Sequence, residues 1–379
     1  MICKRGVIVA INRKLLKNFD FGLLINVILL CVIGIVTISS ATQAFKGGTN
    51  RFFIVQIIWT VLGIGLLILT SVIDYNVYKM YYKLIYVVNI MMLCVVVVLG
   101  KVTNGANSWI GIGTLGIQPS EIMKISLIIV IAKKIEDFEG GINSVKNLGI
   151  LFLYSIVPLG LILMQPDLGT AMVFVAIIIG MLFMGGLNIR IFVAGILITV
   201  ITLTCVWYSP IQILKPYQKD RILIFLNPEN DQLKSGYHII QSKIAIGSGQ
   251  LFGMGLGKGL QNEGKFLPES HTDFIFSVFG EEFGFVGAIV LVVLYASLIF
   301  KCLNTTRVAK DTFGSLVIIG VISMLVFQMF QNIGMTIGLM PITGITLPFV
   351  SYGGSSMLTS MISIGLILNI GMRRHKINF

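Results

Sequence analysis

The sequence predicts an all-α integral membrane protein of about ten transmembrane helices, with one large extracytoplasmic loop between the seventh and the eighth. Three observations lead there. The 379-residue chain is 56% hydrophobic and 12% charged, with a mean hydropathy of +0.93, which no ordinary soluble domain shows. Its apolar residues fall in stretches of about 17–25, the length needed to cross a hydrocarbon core of about 30 Å at about 1.5 Å per residue. Its basic residues gather in alternate connections, the pattern that orients a polytopic chain.

Taken in order, the predicted spans cover residues 20–41, 52–73, 83–100, 118–133, 147–164, 168–187, 190–208, 274–300, 313–338 and 352–371. Lys4, Arg5, Arg13, Lys14 and Lys17 precede the first span. Lys79, Lys83, Lys133, Lys134, Arg190, Arg307 and Lys310 fall in loops on that same side, and Arg373, Arg374 and Lys376 close the chain there. The opposite short loops carry only Lys46, Arg51 and Lys101. Both termini are therefore expected to be cytoplasmic, with residues 1–19 as a tail on a single polytopic domain spanning 1–379. No small-residue cleavage site follows the first apolar stretch, so it reads as a retained span.

Composition also excludes function classes. The net charge of +12 is explained by orientation and by anionic lipid head groups rather than by nucleic acid. Cys3, Cys31, Cys94, Cys205 and Cys302 are scattered without a CxxC pair, and three histidines are widely spaced. Neither a disulfide framework nor a structural zinc site is expected.

The long connection over residues 209–272 breaks the rule of short loops, and such length marks a segment that is functional or disordered. Residues Gly236–Ile246 read as an amphipathic helix lying on a surface. The glycines that follow, from Gly247 to Gly259, mark a flexible or tightly turned stretch.

Four polar clusters interrupt the apolar pattern, all toward the outer face. The first is Gln118-Pro119-Ser120-Glu121 with Lys124. Pro119 suits the first turn of a helix. Glu121 and Lys124 stand at i, i+3 and read either as a structural ion pair or as the lining of a substrate cavity. The second is Gln165-Pro166-Asp167-Leu168-Gly169-Thr170, where Asp167 is placed to cap a new helix. The third runs from Leu267 through Glu269, Ser270, His271 and Thr272 to Asp273, then on to Glu281 and Glu282. An acid at the lip of a spanning helix costs about 2.5–3.5 kcal/mol on insertion scales if it is buried unpaired, so Asp273 is the leading candidate for chemistry, with N-capping as the plainer alternative. Two adjacent acids inside a helix cannot both face lipid, so Glu281 or Glu282 must meet a partner or a cavity. The fourth, Gly338 to Ser356, is rich in Gly, Pro, Ser and Thr and reads as a re-entrant segment. Such backbone is tolerated at membrane depth only where protein or a cavity covers it. Ser351 and Ser355 belong to it.

These four clusters, in this order, resemble the SEDS family (shape, elongation, division and sporulation) over nearly the whole chain. Tyr237–Gly249, Phe274–Gly284, and the lack of paired arginines at Asn104–Trp109 resemble its RodA branch. The resemblance implies a peptidoglycan glycosyltransferase of the bacterial plasma membrane that polymerises lipid II on the outer leaflet. Asp273 then corresponds to the family's essential aspartate. A lipid II flippase and a non-catalytic scaffold are the competing readings; the outward clustering of acids favours the enzyme. The expected partners are a class B penicillin-binding protein and other elongation-complex proteins. Lys124, Lys243 and Arg221, or a divalent cation (Mg or Mn), would stabilise the leaving pyrophosphate. The sequence names no metal ligands.

Overall fold

A computed structural model of the chain describes residues 18–42, 49–99, 101–103, 106–112, 115–208, 223–225, 235–264, 266–267 and 269–373. The helices are α1 (Phe21–Ala41), α2 (Thr49–Val72), α3 (Tyr75–Met80), α4 (Tyr82–Leu99), α5 (Pro119–Asp137), α6 (Val145–Met164), α7 (Leu168–Met184), α8 (Ile189–Tyr208), α9 (Ser235–Ser248), α10 (Leu260–Glu263), α11 (Ile275–Arg307), α12 (Thr312–Thr336) and α13 (Gly354–Met372). Each apolar stretch read from the sequence coincides with one of these helices. Among the described residues, six helices (α1, α2, α6, α11, α12 and α13) are long and apolar enough to cross a membrane by length and composition. The apolar parts of α4 and α7 are shorter, and α5 carries Glu121, Lys124, Lys133, Lys134, Glu136 and Asp137.

The helices start where short acids can cap them. Asp20 accepts from Leu23 N at 2.9 Å, Asp167 from Thr170 N at 3.0 Å and Asp311 from Gly314 N at 2.9 Å, each satisfying an otherwise unbonded first-turn donor.

At the centre lie α12 and α13, whose side chains are buried along most of their length. α13 packs along α2, and α12 along α7, α5 and α11. Small residues let these backbones approach closely, as is usual where lipid removes the hydrophobic drive between helices. A Cβ placed on Gly365 of α13 would lie 2.6 Å from Leu67 O of α2.

One end of the bundle is basic and cross-linked. Lys79 pairs with Glu136 at 2.6 Å and Asp311 at 3.3 Å, Lys133 with Asp137 at 2.5 Å, and Arg373 with Asp74 at 3.3 Å. Asn18 Nδ2 donates to Met372 O at 3.4 Å, so the first and last described segments meet at this end. The candidate site lies at the other.

Three features depart from the sequence reading. Residues 101–117 contain a small antiparallel meander, β1 (Lys101–Thr103), β2 (Ala106–Ile112) and β3 (Leu115–Ile117), in the order β1-β2-β3. The architecture is therefore mostly helical rather than all-α; this segment is too short to span and pairs its backbone locally instead. Next, α9 does not lie on a surface by itself: Gly236, Ile239, Ser242 and Ala245 are buried, and the helix packs against α11 and α12. Finally, α11 is broken at Gly284, whose φ of 64° and ψ of −164° divide it into a half-helix, 275–283, and a long run, 285–307. The tail over residues 1–17 and most of the 209–234 stretch of the long loop lie outside the described residues.

Candidate active site

Asp273 sits where the third and fourth polar clusters meet. The 269–273 segment docks onto the irregular 341–353 segment through main-chain contacts. Tyr352 N donates to His271 O at 2.9 Å, and Ser351 Oγ donates to Thr272 O at 2.7 Å while accepting from Leu347 N at 2.8 Å. Asn332 Nδ2, from inside α12, donates to Asp273 O at 2.9 Å and to Ile345 O at 2.8 Å. Gly344, with φ of 73°, brings its backbone alongside the carboxylate, and a Cβ there would be 3.6 Å from Asp273 Oδ2.

The remaining clusters close around the same segment. Gly169, in the first turn of α7, packs directly on Thr343 O and Ile345. Asp167 accepts from Thr170 N and Oγ1 at 3.0 and 2.8 Å, and from Gln118 Nε2 at 3.0 Å. Gln118 N in turn donates to Ser355 Oγ at 2.9 Å, and Ser355 Oγ donates to Gly116 O at 3.3 Å. Capping and bridging thus account for Asp167, and Ser351 and Ser355 act as braces.

Much of the irregular segment, from Ile345 to Ser351, is buried, and helix side chains satisfy its backbone. Gln331 Nε2 donates to Pro341 O at 2.9 Å, Tyr295 Oη to Pro348 O at 2.5 Å and Gln56 Nε2 to Ser351 O at 3.4 Å. This is the condition for non-helical backbone inside a membrane protein. A short hydrophobic wall completes it: the His271 ring stands 4.8 Å from Phe52 and 5.5 Å from Tyr352. Burial pushes the His271 imidazole below its ordinary pKa, with Glu269 partly opposing. Glu269 itself is exposed, and its carboxylate accepts from Thr272 Oγ1 at 2.9 Å.

The structure places the other candidate residues as follows. The N-cap position of α11 falls on Phe274, with no side-chain cap bond, so Asp273 is not held there as a cap. Glu121 and Lys124 form a buried 2.7 Å pair, Lys124 being 1% exposed; the ammonium is occupied by its own helix neighbour. Glu281 and Glu282 do not join the Asp273 cluster: both face the glycine-rich loop over 249–261. Lys243 lies on α9 against Gly338. Arg221 falls outside the described residues. Among the described residues, no group of three or more His, Cys, Asp or Glu is placed to hold a metal ion, so they do not form a protein-only metal centre.

Sequence reasoning passed over Asn332, Gln331, Ser40 and Asn262. The signal for the first two was present as adjacent amides inside an apolar helix, where polar side chains hydrogen-bond rather than face lipid.

The profile of the FtsW, RodA and SpoVE cell cycle proteins matches residues 21–376. The chain belongs to this family. Among curated members, it is 35% identical to the peptidoglycan glycosyltransferase RodA of Treponema pallidum, covering 94% of this chain and 98% of that one. It is 38% identical to stage V sporulation protein E of Bacillus subtilis, over 93% and 96% of the two chains. The fold matches a chain of a solved peptidoglycan synthase complex that coordinates polymerization and crosslinking (TM-score 0.79, 29% identity, 94% and 99% coverage). It also matches the crystal structure of the rod shape determining protein RodA of Thermus thermophilus (TM-score 0.71, 28% identity, 94% and 98% coverage).

Proposed function

We propose that this chain is a peptidoglycan glycosyltransferase that polymerises lipid II into β-1,4 glycan strands, in the role of a RodA-type elongation enzyme. Its family membership and curated relatives named peptidoglycan glycosyltransferase support the activity. The observation that carries the site is the placement of Asp273: its segment is clamped at His271 O, Thr272 O and Asp273 O, with the carboxylate beside the close-packed backbone at Gly344. A rigid carboxylate at the mouth of a helix bundle is what general-base catalysis needs.

In this reading the acceptor N-acetylglucosamine gives its 4-hydroxyl proton to Asp273 as the oxygen attacks the anomeric carbon of the donor N-acetylmuramic acid. The anomeric C–O bond breaks, undecaprenyl pyrophosphate departs with the electron pair, and the α-linkage becomes β. One base suffices, because pyrophosphate leaves without a protonating acid. The Glu121–Lys124 pair supports the helix beside the site rather than the reacting atoms. All ten long helices cross the membrane in this arrangement, with the basic end cytoplasmic and the 209–272 loop outside. The partner is a class B penicillin-binding protein, by analogy with the synthase complex whose chain this fold matches.

The test is polymerisation of lipid II by purified protein, with and without that transpeptidase. Asp273→Asn keeps the shape and removes the base, so it should fold and bind its partner yet lose about 10²–10⁴-fold in rate. Near-normal glycan synthesis by folded Asp273→Asn protein would end the assignment.

A further inference from the structure

The break in α11 places the angle of the Asp273-bearing half-helix under the control of a joint. Gly284, at φ 64° and ψ −164°, interrupts the helical ladder and leaves backbone groups on both sides without helical partners. The glycine-rich loop supplies the missing partners. Met254 N and Gly255 N donate to Glu281 O and Glu282 O, each at 3.0 Å, and Phe285 N and Val286 N donate to Gln250 O at 2.8 Å and Leu251 O at 3.0 Å. The fit is close enough that Gly249 and Gly253 touch the backbone of Gly280 and Glu282, where no Cβ could stand.

Two buried acids bolt this joint. Glu281 and Glu282 are 0% and 1% exposed. Glu281 Oε1 accepts from Gln261 N at 2.8 Å, and Glu282 Oε1 accepts from Gly257 N at 3.3 Å and from the Ser40 hydroxyl. Ser40 belongs to the end of α1, which is tied back to the loop by Asn262 Nδ2 on Ser40 O at 3.0 Å. The neighbouring Ala41 O accepts from Ser270 Oγ at 3.5 Å, three residues before Asp273. The half-helix 275–283 is thus fixed at both ends to the same point of α1.

We infer that the Glu282–Ser40 contact and the glycine loop form a positioning latch that sets where Asp273 stands. Glu282 and Ser40 are positioning residues, acting through the tilt of the half-helix and through Ser270. The inference rests on Asp273 as the base, and its geometry predicts how each change divides between binding and chemistry. A loosened latch leaves lipid II binding intact but lets the carboxylate wander, and a displacement of about 1 Å is worth about 100-fold in rate. Glu282→Gln keeps an acceptor for both the Gly257 amide and the Ser40 hydroxyl, so it preserves the latch.

The experiment measures lipid II polymerisation kinetics and hydrogen exchange on the full-length chain in lipid nanodiscs. Glu282→Ala and Ser40→Ala should lower kcat by about 10- to 100-fold with KM changed less than about twofold, while Glu282→Gln stays within about threefold of wild type. In the alanine variants, amides of 269–277 should exchange faster as well as those of 250–260. Wild-type kcat in folded Ser40→Ala and Glu282→Ala, or faster exchange confined to 250–260, overturns the latch. Glu282→Gln as impaired as Glu282→Ala also overturns it, since the charge and not the shape would then matter. Should Glu282→Ala not fold, Ser40→Ala, which removes only a hydroxyl, carries the test. Asp273→Asn run alongside separates the two failures: activity in that variant refutes the base, whereas the exchange data still report on the latch.

Discussion

Asn332 offers the sharpest check on how the site is held. Its amide is fully buried in α12 and divides its two N–H donors between Asp273 O at 2.9 Å and Ile345 O at 2.8 Å. It therefore joins the segment carrying the base to the irregular segment facing it. Asn332→Leu keeps a similar volume and removes both donors, leaving the buried Ile345 carbonyl and the half-buried Asp273 carbonyl without this partner. Each stranded acceptor costs about 1–3 kcal/mol, so the expected loss is about 2–6 kcal/mol in total. Part of it appears as a lower unfolding midpoint in detergent or nanodiscs. The activity effect should be larger than the stability effect alone implies, because the freed segment moves the carboxylate relative to its substrate. A fall in kcat of about 100-fold in the protein that remains folded is expected. Measuring thermal unfolding and lipid II polymerisation on the same preparation separates the two. Wild-type midpoint together with wild-type kcat would refute the claim that Asn332 ties the site together. A lowered midpoint with unchanged kcat would confine Asn332 to stability.

Removing Glu121 or Lys124 singly strands the partner's charge in a buried setting and should cost about 3–5 kcal/mol; the double variant, judged by folded yield, should lose less than the sum. Asp167→Asn keeps the cap on Thr170 N but replaces the oxygen that accepts from Gln118 Nε2 with a donor, so it should lose less than Asp167→Ala, which should lose about 0.5–2 kcal/mol by thermal unfolding. His271 has its folded pKa below its ordinary 6.5, so the unfolded chain takes up the proton first. Stability from this residue is full above about pH 6.5 and declines as pH falls through that value; His271→Gln should flatten that part of the pH–stability curve. A cysteine replacing exposed Lys258 should react with an impermeant thiol reagent added outside, and one replacing exposed Lys310 should not; the reverse pattern would invert the orientation.

Some features were legible because they depend on local chemistry. The position of each long helix follows from apolar run length, and the start of α7 follows from Asp167 two residues before Gly169. The basic end follows from Lys79, Arg190, Arg307 and Arg373. Asp273 stands out because a carboxylate beside an apolar helix needs a reason. Contacts far apart in sequence were not legible. Nothing near Glu281 and Glu282 indicates that their partners are Gly257, Gln261 and Ser40. The break in α11 is equally hidden, since Gly284 alone signals permission for a kink rather than a kink. The reading of α9 as a surface helix failed for the same reason: its polar face includes Ser242, which bonds Ser277 Oγ and Thr336 O at 2.6 Å, and amphipathicity alone does not say whether such a face meets water or protein.

The sequence by itself determined that this chain is a polytopic bundle, which end is basic, and which acid is the candidate for chemistry, because burial cost and run length are set residue by residue. Only the tertiary structure decided what each polar side chain is for. It gave Asp167 a bond to Gln118 besides its cap, tied Ser351 to Thr272 O and Ser355 to Gln118 N, closed the Glu121–Lys124 pair on itself, and set Glu281 and Glu282 against the glycine-rich loop. The physical reason is that a buried polar group must find a partner, and which partner it finds is settled only when helices distant in sequence pack together.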